Sequence, residues 1–311
     1  MRAIYITGAS GVIGSSLALH FATAGDRRVF AVGRTPCPTL PAGHPGQKGV
    51  TDLFDAKWLE PGDPDATIVH CAGLANPRQE FRNFAELSRD HILPHIDMLE
   101  RMLERGWCGR LIFFSSGGAI YGDTLELPIR ETHPTNPKSF YGLHKLCLER
   151  AFIHMAQTHG FELVILRVAN PYGSHVRKPQ QGVIPILLNR IEKDRPFRVI
   201  GDGTAERDYI EMSDLCDAVT RTIALNMQHR RAIILNIGSG IGTSLNDLIA
   251  IMEEITGKTL IKFNEPVLHD VQSNVLDCHR ARNVLNWQPQ TALESGLRKL
   301  IGERHVHNHQ Q

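Results

Sequence analysis

From its first residues the chain alternates short β-branched runs with longer stretches of helical period. Strand-sized apolar runs occupy residues 4–7, 29–32, 67–70, 110–114 and 162–168, and helical patterns occupy 14–24, 84–105 and 140–158. Strand, helix, strand in this order predicts an α/β fold: a doubly wound parallel sheet with right-handed crossovers and helices on both faces. After Asn170-Pro171-Tyr172-Gly173 the rhythm breaks into a polar stretch at 175–182, followed by a helix near 183–193. The run 231–237 reads as one more buried strand that rejoins the first sheet. The expected organisation is a dinucleotide-binding (Rossmann) domain over 1–170 with a returning segment at about 205–240. A smaller, interleaved substrate lobe then takes 171–204 and 241–311. Residues 36–49, with four prolines and three glycines, read as a loop.

Composition narrows the function classes. At 311 residues, two unequal lobes can each bury a core. Lys and Arg total 34 against 33 Asp and Glu, so the net charge of +1 gives no global field for nucleic acid or an anionic membrane. The longest apolar stretches are strand-sized, far below the roughly 20 residues of a membrane helix. The N-terminus runs directly into a strand pattern without the long apolar region of a signal peptide, so a cytoplasmic location is expected. The six cysteines (Cys37, Cys71, Cys108, Cys147, Cys216 and Cys278) and the sixteen histidines are dispersed, without metal-ligand spacing. No metal is expected, and the histidine-containing tail at 305–309 reads as a frayed terminus.

Two features carry chemistry. Residues 7–14 (TGASGVIG) follow the first strand and open the first helix, with glycines at 8, 11 and 14. Such a turn lets the backbone approach a ligand, and the helix N-terminus presents free N–H groups to a pyrophosphate. A dinucleotide fits it. Downstream, Tyr141 and Lys145 stand four apart in YGLHK, one turn apart on one helix face. An adjacent ammonium favours the phenolate and lowers a phenol pKa from about 10 towards the working range. The pair points to redox chemistry on a hydroxyl or carbonyl.

Taken together with HCAGLANP at 70–77, FFSSGGAIYGD at 113–123, LRVANPYG at 166–173, GDGTAERDYIEMSDL at 201–215 and NIGSG at 236–240, these motifs resemble an extended short-chain dehydrogenase/reductase. The resemblance is to the NAD-dependent epimerase/dehydratase family, which processes nucleotide sugars, and it runs from residue 3 to about residue 300. It implies that Tyr141 exchanges a proton with a sugar oxygen and that Lys145 depresses the Tyr141 pKa and binds the nicotinamide ribose. It places Gly8, Gly11, Val12, Ile13 and Gly14 at the cofactor, with Arg34, Asp52, Leu53, Ala72 and Gly73. Asn170, Arg207, Gly182, Val183 and Asp270 fall at the nucleotide-sugar substrate. A guanidinium suits phosphate oxygens, although Arg207 also has Asp208 and Asp214 near it in sequence. The two long helices, near 84–105 and 140–158, correspond to those that commonly pair in a homodimer.

The sequence departs from the family pattern at three places. The Ser or Thr that shares the substrate oxygen aligns with Gly117; Ser116 is the nearest hydroxyl and takes the role, with Ser115 next. After the second strand stands Gly33-Arg34 in place of the acid of NAD-preferring members, which leans the cofactor towards NADP over NAD. Where many members carry an arginine three residues before the position of Asp270, this chain has Val267, with His269 as a substitute contact.

The leading expectation is a nucleotide-sugar epimerase, acting at carbon 4 of a UDP-hexose through a transient 4-keto sugar. The segment Arg207-Asp208-Tyr209-Ile210, similar to that of UDP-galactose 4-epimerases, supports it. The first alternative is an NADPH-dependent reductase of a nucleotide-linked 4-keto sugar, favoured by Gly33-Arg34. A dehydratase fits less well, since Gly118-Ala119 stands where an Asp-Glu pair is expected. A third alternative, from another class, is a dinucleotide-binding regulatory protein without catalysis.

Overall fold

The computed structural model describes residues 2–25, 27–73, 81–173, 182–228, 231–265 and 273–308. In chain order its strands are β1 (Ile4–Thr7), β2 (Val29–Gly33), β3 (Gln47–Gly49), β4 (Thr67–His70), β5 (Arg110–Ser116), β6 (Glu162–Val168), β7 (Asn170–Tyr172), β8 (Phe197–Ile200), β9 (Glu206–Glu211), β10 (Ala232–Ile237), β11 (Gly242–Ser244), β12 (Lys262–Glu265) and β13 (Ser273–Asn274). The helices are α1 (Val12–Ala24), α2 (Phe84–Leu87), α3 (Leu93–Glu104), α4 (Gly117–Ile120), α5 (Phe140–His159), α6 (Val183–Glu192), α7 (Met212–Ala224), α8 (Leu245–Thr256), α9 (His279–Leu285) and α10 (Leu293–Asn308).

A seven-stranded sheet runs β10-β6-β5-β4-β1-β2-β3, parallel throughout. Alternate residues of β1 serve opposite cores. Ile4 and Ile6 pack with Leu17, Phe21 and Leu215 on one face, while Tyr5 packs with Met98, Leu148 and Phe152 on the other. Burial on both faces is why the strands read as continuous apolar runs. The strand order reverses between β1 and β4, the switch point at whose C-terminal edge doubly wound sheets take ligands. A third core, with Tyr172, Leu187, Leu248, Met252 and Leu297, joins α6, α8 and α10. β9 pairs with β7, β11 and β13 in a smaller sheet, and β12 pairs with β8.

Three local readings of the sequence change. The helix expected over 84–105 is divided into α2, a wide π turn at Ser88–Ile92, and α3. Pro94, in the first turn of α3, has no N–H and its ring would strike the carbonyl four residues back, so the chain widens there instead of continuing an α-helix. The end of the Pro-rich loop, Gln47–Gly49, extends the sheet as edge strand β3. Asn170–Tyr172, read as a break in rhythm, is β7 and carries the chain from β6 to β9.

One polar network crosses the core. Arg167 of β6 donates to both carboxylate oxygens of Glu149 on α5, at 3.1 and 2.7 Å. The two residues are 2 % and 1 % exposed. Arg167 also donates to the Tyr121 hydroxyl at 2.9 Å, which donates to Asn236 of β10 at 2.7 Å. Among the described residues no helix is long and apolar enough to cross a membrane, and no group of three or more His, Cys, Asp or Glu is placed to hold a metal.

Candidate active site

The glycine turn between β1 and α1 fits a dinucleotide on steric grounds. Gly8 has φ +73°, and a Cβ there would lie 2.7 Å from the Ala72 nitrogen at the end of β4. A Cβ on Gly14 would lie 2.4 Å from the Gly8 carbonyl oxygen. Both glycines are therefore fixed by close backbone approach, and the N–H of Gly11 closes the turn on Gly8 O at 2.9 Å. Val12 and Ile13, half-buried, open α1. Ala72 is buried and Gly73 exposed beyond the end of β4. Arg34 is exposed just beyond β2, and a Cβ on Gly33 would stand 3.8 Å from the Ser10 nitrogen and Oγ. The tightest contact of that Cβ would be with the Thr35 carbonyl oxygen, at 3.0 Å. The N–H of Val50 donates to Gly33 O at 3.1 Å and brings Asp52 and Leu53 to the same edge. Asp52 is exposed and accepts from the Phe54 N–H at 2.8 Å, while Leu53 is buried.

Tyr141 and Lys145 lie in the first two turns of α5, which Ser139 caps by accepting from the Gly142 N–H at 3.1 Å. The side chain of Ser116 faces the phenol of Tyr141 and favours its phenolate. Ser116 is the N-cap residue of α4, yet its side chain makes no capping bond and is left to face the phenol. Ser115, the second hydroxyl, is buried without a hydrogen-bond partner. The Lys145 ammonium donates to Phe114 O at 2.8 Å and lies 5.8 Å from the centre of the Tyr141 ring. Burial pushes Lys145 down to about 8. The expected depression of the Tyr141 pKa is not found: burial lifts the phenol above its ordinary value, opposed by the Ser116 side chain. The ammonium is directed at the Phe114 carbonyl, so desolvation of the phenolate dominates.

Gly117 is explained by packing. A Cβ there would lie 2.5 Å from Leu276 Cδ1, and Leu276 is fully buried. A side chain at 117 would require Leu276 to shift, and Ser116, one residue earlier, is the hydroxyl that faces the phenol. Gly117→Ser is expected to lose roughly 1–3 kcal/mol in chemical denaturation through overpacking. Ser116→Ala is expected to fold normally and to lower kcat by about ten- to a hundredfold. Turnover of Ser116→Ala equal to wild type would remove Ser116 from the chemistry.

Asn170 and Arg207, expected at the substrate, lie on the smaller sheet. Asn170 lies in register with Tyr209, and its amide donates to Asp208 O at 2.8 Å. Arg207, half-buried, is flanked by Thr243 of β11 and Asn274 of β13. The two carboxylates near it in sequence are bound elsewhere. Asp208 accepts from the N–H groups of Ser239, Gly240 and Leu276, and Asp214 from those of Gln290 and Thr291. Gly182 and Val183 open α6. Val267, His269 and Asp270 lie outside the described residues.

Sequence reasoning missed Asn274, whose amide donates to Gly117 O at 3.1 Å beneath the reaction centre. It also missed the buried imidazoles His70, His95 and His144 around Lys145. His144 alone carried a signal, as the neighbour of the lysine; the others come from elements distant in sequence.

With this geometry in hand, comparison with known proteins is specific. The family described as "NAD dependent epimerase/dehydratase family" matches residues 4–238. A dTDP-4-dehydro-6-deoxyglucose reductase of Escherichia coli is 33 % identical over 237 residues, 76 % of this chain and 73 % of that protein. The UDP-glucose 4-epimerase of Thermotoga maritima, solved with UDP-glucose, superposes with a TM-score of 0.86 at 26 % identity, covering 99 % of this chain and 100 % of the other. MoeE5, solved with UDP-glucuronic acid and NAD, gives 0.84 at 28 % identity, covering 98 % and 99 %.

Proposed function

The chain belongs to the NAD dependent epimerase/dehydratase family, and from that premise we propose that it is a nucleotide-sugar epimerase, interconverting a UDP-hexose at carbon 4. The observation that carries this reading is the placement of Tyr141 and Lys145 on one face of α5, with Ser116 opposite the phenol, beside a close-packed glycine turn between β1 and α1.

The cofactor is NAD or NADP, and when bound its nicotinamide exchanges hydride with the reacting carbon. The protein supplies proton transfer and orientation. Tyr141 takes the hydroxyl proton as the sugar is oxidised to its 4-keto form, and returns it after the ring presents its other face. Ser116 holds the reacting oxygen beside the phenol. Lys145 holds its positive charge on the Phe114 carbonyl beside the reacting groups, and turnover is expected to fall as pH rises through about 8, where Lys145 loses its proton. Arg207, with forked donors, and Asn170 hold the diphosphate side of the substrate.

The second reading is a reductase of a nucleotide-linked 4-keto sugar. Gly33, Arg34 and the similarity to the E. coli reductase favour it. One experiment separates the two. Purified protein is incubated with UDP-, GDP- and dTDP-sugars and their 4-keto forms, with NAD or NADPH. Isomer formation without net cofactor change supports the epimerase; stoichiometric NADPH loss replaces it with the reductase; neither outcome overturns both. NADP(H) is expected to bind about tenfold tighter than NAD(H), and Arg34→Ala to erase the difference, at roughly 1.5 kcal/mol for one charge-assisted contact. Calorimetric titration checks this, and tighter NAD binding by the wild type would reverse the assignment.

A further inference from the structure

Behind Lys145 lies a cluster of imidazoles with no part in the chemistry above. His70 ends β4, His95 is on α3 and His144 precedes Lys145 on α5; they are 0 %, 1 % and 0 % exposed. Thr7 Oγ1 and His70 Nδ1 are 2.7 Å apart, and His70 Nε2 and His95 Nδ1 are also 2.7 Å apart, so a hydrogen-bonded chain fixes the His95 ring. The His95 and His144 rings meet edge to face with centroids 5.7 Å apart. The main chain of His91, in the π turn, acts on the His144 ring, yet neither His144 nitrogen reaches a hydrogen-bond partner.

Lys145 and the two imidazoles meet beside Gly73. Lys145 Nζ lies 3.6 Å, and the Cε1 atoms of His144 and His95 each 3.7 Å, from the single point where a Cβ on Gly73 would sit. The space is closed by burial: Lys145 is 5 % exposed, and no imidazole of the three exceeds 1 %. Among the described residues, the hydrogen bond made by the Lys145 ammonium goes to the Phe114 carbonyl.

We propose that His144 and His95 are positioning residues for Lys145: neutral imidazoles that fill the space behind its ammonium, exclude water and leave it held by the Phe114 carbonyl. The imidazoles stay neutral because burial, and then the ammonium itself, disfavour a second positive charge. In return they deny the ammonium the hydration that keeps an ordinary lysine charged to high pH. Titratable groups facing Lys145 are Tyr141 and Glu149 on α5, His70 and Cys71 at the end of β4, His91 in the π turn and His95 on α3. Cys71 and Glu149 favour the ammonium, and burial outweighs them, bringing Lys145 to about 8.

The proposal rests on the catalytic reading of Lys145 for its meaning, and its test does not require turnover. In apo protein carrying ¹³C- and ¹⁵N-labelled lysine, the Lys145 resonance, assigned by its loss in Lys145→Met, is followed with pH. The wild-type midpoint is expected near 8. His144→Ser, smaller and hydroxylated, admits water and is expected to raise it by about one unit, a tenfold gain in proton affinity. His144→Phe fills the same space and is expected to hold it in place. His95→Ser opens the space from α3 and gives the same upward shift should a variant at 144 fail to fold. A wild-type midpoint at the ordinary value near ~10.4 overturns the proposal. So does a serine variant that leaves it unmoved, or a phenylalanine that raises it as much as serine. In active protein the alkaline limit of turnover follows the same order; failure to turn over any sugar overturns the proposed function and leaves this titration standing.

Discussion

Tyr141→Phe is expected to lower turnover by about 10²–10⁴-fold while changing cofactor affinity no more than a few-fold, because it removes one proton-transferring oxygen and leaves the ring in place. The ring packs at the margin of the core shared by β4, β5, α3 and α5, so its apolar contacts survive the substitution. The hydroxyl lost faces Ser116, a half-buried residue, and its removal leaves no fully buried donor or acceptor stranded there. Stability should therefore remain within about 1 kcal/mol, which separates a chemical effect from a folding one. The glycine turn proposed to hold the cofactor makes its close backbone contacts with Cys71 and Ala72, beyond the end of β4. Initial rates with saturating nucleotide sugar, paired with calorimetric binding of NAD and NADP, check both halves. Retention of more than a tenth of wild-type turnover would show that another group moves the proton and would reassign the role within the site.

Much of this arrangement was legible before the fold was known, and the reason is local. Residues 7–14 form a contiguous turn whose glycines answer to backbone contacts within the turn and with one neighbouring strand, and the i, i+4 spacing of Tyr141 and Lys145 needs only a helix. Order along the chain then told which strands would be parallel. What was not legible depends on contacts between distant segments. The sequence shows a glycine at 117 and a leucine at 276, but not that a Cβ on the first would strike the second. It likewise shows a lysine four residues from a tyrosine, and predicts an attraction between them. It does not show the Phe114 carbonyl that receives the ammonium, or the burial that lifts the phenol. The division of the helix at 84–105 falls between these cases. Pro94 was visible, but its effect depended on the chain widening one turn earlier without leaving the helix axis.

The second large effect is expected at a distance from the switch point. Glu149→Leu should destabilise the protein by roughly 3–5 kcal/mol, because it leaves the Arg167 guanidinium buried beside an apolar side chain. Arg167 is 2 % exposed, and its remaining partners are the Tyr121 hydroxyl at 2.9 Å and the Glu131 carbonyl at 3.3 Å, both neutral. The one further carboxylate of that network among the described residues, Glu131, accepts from the Asn236 N–H at 2.8 Å, while the ion pair of Arg167 is with Glu149. The double variant Glu149→Leu/Arg167→Met removes both ions and should recover most of the loss, since two apolar side chains of similar volume carry no desolvation cost. Urea denaturation of the four proteins in the cycle measures the coupling, and equal losses in the single and double variants would show that packing, not charge, holds α5 against β6. The position of the pair gives the result a functional edge. Glu149 follows Lys145 by one turn of α5, and Arg167 stands beside Ser115 in the paired strand. If the ion pair fixes the angle at which α5 meets the sheet, the single variant should also lower kcat in the fraction that remains folded, whereas the double variant should restore stability and turnover together. Stability restored without turnover would mean that α5 settles at a new angle, with Tyr141 carried away from Ser116.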